Sequence, residues 1–166
     1  IVQRSEEEIY ADRANRIVIR HHLGRIVAVI EIVSPGNKDK RGAIRNFVEK
    51  TVEFIEAGVH VLIVDLFPPT IRDPKGLHKL IWDEITDQPF ELPPGLDRLL
   101  MSYQAGREKV AYIEPLALGD TMPDMPLFLT PHVHIKVPLE TTYTTTWNVL
   151  PEQLRTAATT GNIPLA

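Results

Sequence analysis

Residues 26–38, IVAVIEIVSPGNK, constrain this chain more than any other stretch, because they set a carboxylate, Glu31, inside an aliphatic run. An ionised carboxylate in so apolar a segment is costly unless a metal, a cation or hydrogen bonds compensate it. The segment reads as a strand covered on at least one side, and Pro35 and Gly36 stop it. Whatever compensates Glu31 is therefore the first question about function.

At 166 residues the chain is long enough for one layered core. The whole of residues 1–166 is read as a single domain; the chain opens at Ile1 without an initiator Met, so it also fits a fragment of a longer protein. Hydrophobic content of 43% and charged content of 24% are ordinary for a soluble globular chain and give no sign of a fibrous or disordered one. The net charge of −4 argues against a broadly basic nucleic-acid-coating surface and leaves room for a local basic patch. With no Cys, disulfides, zinc-thiolate sites and cysteine nucleophiles are excluded, which fits a cytoplasmic protein. No apolar run is long enough to span a bilayer, and no signal-peptide pattern is present, so no membrane association is expected.

Residues 1–15 form a polar lead-in with the acidic run Glu6, Glu7 and Glu8. The IVIRHH pattern from Arg16, a turn at Gly24 and the aliphatic run then predict a β-hairpin. Between 39 and 57, Ile44, Phe47, Val48, Thr51 and Ile55 recur at helical spacing, with Arg45, Glu49, Lys50 and Glu53 opposite. Gly58 suits the end of that helix, and 59–66 (VHVLIVDL) reads as a strand. Strand, helix, strand implies a right-handed crossover and parallel pairing. Further on, a proline-rich loop at 67–76 precedes a short helix at 77–85 and a hairpin of 98–104 with 109–118. The region after Asp120 is too rich in proline for a central strand, so an extended wrap with short pairing at 133–137 is expected. Residues 141–148 and 151–158 read as a terminal helical pair, with Pro151 at a helix start.

Strand alternation places Glu31 on the face of Val27, Val29 and Val33, and Asp65 on the face of Val61 and Ile63. Both acids lie near the C-terminal ends of parallel strands, where ligands gather in open α/β sheets, and Lys38 overhangs them. Glu31, Asp65 and Lys38 are thus expected to converge. Carboxylates with one lysine suit magnesium-assisted hydrolysis, the oxygens of Glu31 and Asp65 holding the ion and the ammonium steadying the attacking water. The opposing reading pairs Glu31 with a helix cation such as Arg45 or Lys50 and makes Asp65 a loop cap. Lys38, Lys40, Arg41, Arg45 and Lys50 form a basic cluster that suits either phosphate contact or a solvated helix face. Neither the pair His21 and His22 nor the strand-spaced His132 and His134 match a zinc motif, and Ser34 has no identifiable base for a serine hydrolase.

On VIEIVSPGNK and GVHVLIVDLF, and on the later pieces AYIEPLALGD, MPDMPLFL and PLETTY, the chain resembles the bacterial domain-of-unknown-function family 4058 over most of residues 14–154. The same core is similar to the Uma-two-type endonuclease-like proteins, whose strand ends in Glu-x-x-Ser-Pro, present here as Glu31, Ser34 and Pro35. The resemblance implies the restriction-endonuclease-like fold, a mixed sheet of β-hairpin, crossover helix and parallel strand, here with a C-terminal extension of further strands and helices. It also implies an acid on the first hairpin strand, then an acid and a lysine two residues apart, around magnesium. Glu31 matches the second acid, whereas Val33 stands at the lysine position, so Lys38 or Lys50 would substitute. Residues 16–22 carry no carboxylate; the nearest upstream acid is Asp12. Asp65 follows the next-strand pattern of the Uma-two-type proteins.

Two functions follow as expectations. The first is a magnesium-dependent nuclease hydrolysing phosphodiesters, with Glu31, Lys38 and Asp65 as catalytic residues, Glu31 and Asp65 as metal ligands and nucleic acid as partner. The second is a catalytically inactive binding or oligomerisation module that keeps the fold, with a homo-oligomer among its expected states.

Overall fold

The structure is a computed structural model and describes residues 16–161. Five strands form one mixed sheet in the order β1 (Arg16–Arg20), β2 (Ile26–Ile32), β3 (His60–Asp65), β4 (Arg98–Ala105) and β5 (Lys109–Leu116). β1 and β2 are the expected antiparallel hairpin, β2 and β3 pair in parallel, and β4 and β5 continue antiparallel. Between β2 and β3 lie a one-turn helix, α1 (Pro35–Asp39), and the crossover helix α2 (Arg41–Glu56); α3 (Leu77–Asp83) follows β3.

The crossover helix ends as its sequence dictates. Gly58 adopts φ 78°, its N–H bonds Ile55 O at 3.2 Å, and the next N–H, Val59, bonds Phe54 O at 2.8 Å. That is a Schellman closure, which needs a left-handed residue and so favours glycine. Ile44, Phe47, Val48, Thr51, Phe54 and Ile55 form the buried stripe of α2. Together with Leu77, Ile81 and Trp82 of α3, they cover the sheet face of Val29, Val61, Ile63, Met101 and Tyr103. Each large apolar side chain so buried contributes on the order of 1.5–3 kcal/mol.

The opposite face, Ala28, Ile30, Leu62, Val64 and Leu100, is covered by Met122, Met125 and Leu127. Met125 and Leu127 belong to β6 (Met125–Thr130), which pairs with β7 (Val133–Val137) in a second, two-stranded sheet. The expected extended wrap is therefore corrected to a strand. Proline is tolerated because, among the described residues, β6 pairs on one side only, so Pro126 removes no donor from a second ladder. Ser102 Oγ of β4 reaches across to the Pro126 carbonyl and ties the two sheets together.

The terminal helices, α4 (Leu139–Val149) and α5 (Glu152–Thr160), agree with the expected pair, although Pro151 caps α5 instead of entering it. No residue of α4 is buried, and Ala157 is the buried residue of α5. Among the described residues, no helix is long and apolar enough to cross a membrane.

Candidate functional site

The C-terminal ends of β2 and β3 hold the acids singled out from the sequence. Glu31 is 5% exposed and Asp65 2% exposed, both on the face covered by α2. Ile63 is the register partner of Glu31, and Asp65 lies two residues beyond it on the same face. The expected proximity of the two strand ends is present; the expected convergence of all three side chains is not.

Glu31 is compensated by Arg16, its register partner across the β1–β2 hairpin. Arg16 donates from Nε to Glu31 Oε1 at 2.5 Å, and its Nη2 reaches the same oxygen. The guanidinium also stands 5.6 Å from the Phe54 ring centroid, so α2 supplies a cation–π face to the pair. The proposed helix partners are occupied elsewhere: Arg45 bonds Glu49 at 2.7 Å and Lys50 bonds Glu53 at 2.6 Å. The ion-pair reading of Glu31 is right in kind and corrected in partner. Burial pushes the Glu31 carboxyl above its ordinary range, with the Arg16 charge and hydrogen bond pulling against it.

Lys38 is placed by the turn after β2. Pro35 opens α1, and the Ser34 N–H donates to Asn37 Oδ1 at 2.8 Å, which winds SPGNK into a helical turn. The winding turns Lys38 inward, where it is 3% exposed, so it leaves the solvated basic face that its neighbours Lys40 and Arg41 occupy. Its ammonium contacts Asp65 Oδ2 at 2.7 Å and Asp73 Oδ2 at 2.9 Å. The carbonyls of Phe67 at 3.1 Å and Pro68 at 3.3 Å accept from it as well. The Asp73 contact lies off the hydrogen-bonding direction, so it is a charge contact that leaves Oδ2 without a hydrogen bond.

Both acids also hold the loop that wraps this ammonium. Asp65 Oδ1 accepts the Phe67 N–H at 3.2 Å, the loop cap anticipated for it. Asp73 Oδ1 accepts the Thr70 N–H at 2.7 Å and the Thr70 hydroxyl at 2.5 Å. Burial raises the Asp65 carboxyl, Lys38 lowers it, and Asp73 adds a smaller upward push. Asp73, which is fully buried, is the member that periodicity did not find. It stands in a proline-rich loop with no repeat, and its only sequence signal is the turn-forming Asp-Pro pair at 73 and 74.

The fit to magnesium can be tested on these contacts. Magnesium demands near-octahedral oxygen donors at about 2.0–2.1 Å. The point on which the Asp65 and Asp73 oxygens converge is filled by Lys38 Nζ, and the bonded oxygen of Glu31 is held by Arg16. This donor set suits an enclosed ammonium and does not suit magnesium. Among the described residues, no group of three or more His, Asp or Glu side chains is gathered to hold a metal. His21 and His22 are exposed in the hairpin turn with ring centroids 3.9 Å apart, and His132 and His134 are exposed around β7. Asp12, the upstream acid of the sequence reading, lies outside the described residues.

Two histidines not singled out from the sequence are buried. His78 of α3 shares a 3.0 Å hydrogen bond with the Tyr103 hydroxyl, and burial lowers its pKa to about 4. His60, at the start of β3, accepts the Ala105 N–H on Nδ1 at 2.9 Å, and burial lowers it too. No family model, curated protein or solved structure matches the chain.

Proposed function

We propose that this chain is a restriction-endonuclease-like domain, akin to domain-of-unknown-function family 4058, that works as a catalytically silent binding or oligomerisation module. The hairpin, crossover helix and parallel strand are the arrangement that the resemblance implies, and they support the fold assignment. One observation carries the functional reading: the Lys38 ammonium lies among four oxygens, those of Asp65, Asp73, Phe67 and Pro68. A lysine that assists hydrolysis needs an exposed ammonium beside a reacting phosphate, whereas this one is consumed in closing a loop. Glu31, held by Arg16, serves in the same way to fix the first hairpin against α2.

The experiment is a cleavage assay with supercoiled plasmid and single-stranded DNA in the presence of manganese. Both substrates are expected to survive, and Glu31→Gln is expected to change stability without changing activity. Metal-dependent nicking that Glu31→Gln abolishes would overturn the silent-module reading and restore the nuclease. Sedimentation of the full chain over a range of concentrations tests the oligomerisation arm, for which a concentration-dependent increase in mass is expected.

A further inference from the structure

At the other end of the sheet, beside the starts of β2 and β3, the structure forms a solvent-open cavity of about 460 Å³. That volume is within the ordinary range for a small-molecule site. Phe54 and Val59 form part of an apolar wall, and Leu129, next to the β6–β7 turn, adds to it. The polar side chains on the rim are Arg20, Arg25, His60 and Thr130, and among the described residues no carboxylate lines the cavity.

Each polar group has a defined capacity. Arg25 is exposed and forms no side-chain ion pair or hydrogen bond among the described residues. Arg20 Nη1 donates to Gly24 O at 3.1 Å, which keeps the hairpin turn closed and its guanidinium beside the cavity. The His60 Nδ1 lone pair is used by the Ala105 N–H, so the neutral ring carries its proton on Nε2 and can only donate there. Thr130 Oγ1 accepts the His132 N–H at 3.3 Å and keeps its own proton for donation. Arg25, His60 and Thr130 therefore offer positive charge or donors beside an apolar wall, and among the described residues no carboxylate lines the cavity.

We propose that this cavity is a binding site for a small organic anion, its carboxylate or phosphate group held by Arg25, His60 and Thr130 and its apolar body packed on Phe54, Val59 and Leu129. Arginine provides a planar fork matched to either anion, and hydrogen bonds to a charged acceptor are the stronger kind. The site shares no residue with the Glu31 and Lys38 ion pairs, so it stands or falls separately from the silent-module reading.

The test is titration of the full chain with benzoate and with phenyl phosphate, followed by heteronuclear NMR on the His60 ring and the Gly58 and Ala105 amides. Benzyl alcohol and inorganic phosphate serve as the neutral and the non-apolar probes. At least one aromatic anion is expected to bind saturably and shift those signals, and the better of the two identifies the headgroup as carboxylate or phosphate. Arg25→Gln, an exposed position that leaves the fold intact, is expected to weaken that binding about ten-fold or more. Thr130→Val gives a second, smaller loss. No shift with either aromatic anion at millimolar concentration, equal binding of benzyl alcohol, equal binding of inorganic phosphate, or undiminished binding by Arg25→Gln would each overturn the proposal.

Discussion

The two ends of the central sheet handle charge in opposite ways. At the C-terminal ends of β2 and β3, every buried charge faces an opposite one: Glu31 with Arg16, and Lys38 with Asp65 and Asp73. At the N-terminal ends, Arg25 and His60 border a cavity that, among the described residues, no carboxylate lines. The first end lies where ligands usually sit in an open α/β sheet, yet its charges neutralise one another and wrap a loop. A cluster of buried ionisable groups therefore marks function only when it has something left to bind.

The matched end also shows what such pairs are good for. Burial raises Glu31 and Asp65 despite their cationic partners, so desolvation outweighs attraction for both carboxylates. A buried pair of this kind adds little net stability over an apolar replacement, whereas breaking it from one side leaves a charge stranded. Its value here is geometric: it fixes the hairpin against α2 and the 67–73 loop against β3.

The largest expected effect follows from that asymmetry. Lys38→Met should destabilise the fold by about 3–5 kcal/mol, measured by urea unfolding, because Asp65 and Asp73 would face each other without a cation. Adding Asp65→Asn and Asp73→Asn to Lys38→Met should recover a large part of that loss. A Lys38→Met protein as stable as the parent would break the contrast between the two ends.

Acidification should cost somewhat less and separates the carboxylates from the histidines. His78, lowered from 6.5 to about 4, is held neutral in the folded chain. Its contribution is complete above pH 6.5 and is lost as pH falls through about 4, a decline of roughly 3 kcal/mol. His60 runs in the same direction. The raised carboxyls run the other way: the stability they contribute is present below their unfolded values and is lost as pH rises through their folded ones. Unfolding followed from pH 7 to pH 4 should therefore show a decline that His78→Gln flattens, whereas Glu31→Gln should leave the histidine-driven decline in place.

Arg16→Gln should have a smaller effect, a loss of about 1–3 kcal/mol by urea unfolding, because a buried carboxyl deprived of its cation can take up a proton. The loss should shrink as pH is lowered, and a pH-independent loss would show that Arg16 acts mainly through its contact with Phe54. Smallest of all, Arg25→Gln should change stability by less than about 0.5 kcal/mol while it weakens anion binding, which is the behaviour expected of a cation facing a cavity instead of a partner.

Much of this architecture is legible in the order of residues. The IVIRHH pattern, the Gly24 turn and the aliphatic run specify a hairpin, the spacing of Ile44, Phe47, Val48, Thr51 and Ile55 specifies the crossover helix, and the apolar run before Asp65 specifies a parallel strand. These signals are local periodicities, and burial on one face of a helix or two faces of a strand imposes them directly. β6 was hidden because Pro126, with Pro123 and Pro131 on either side of the strand, contradicts a central strand, and only its place in a separate two-stranded sheet makes Pro126 harmless.

The same division runs through the candidate site. The sequence by itself determined that Glu31 and Asp65 are buried near adjacent strand ends and that each needs compensation, because an apolar strand cannot hold a bare carboxylate. Tertiary structure decided what compensates them. A register shift in the hairpin sets Arg16 opposite Glu31, and a helical turn after Pro35 swings Lys38 under the loop that carries Asp73. The cavity at the far end is likewise assembled from distant stretches of chain, 20–27, 54–60, 105 and 129–131. Charge compensation and cavity formation depend on which distant groups come within a few ångströms, and a one-residue slip or one extra turn changes that outcome while leaving the local pattern untouched.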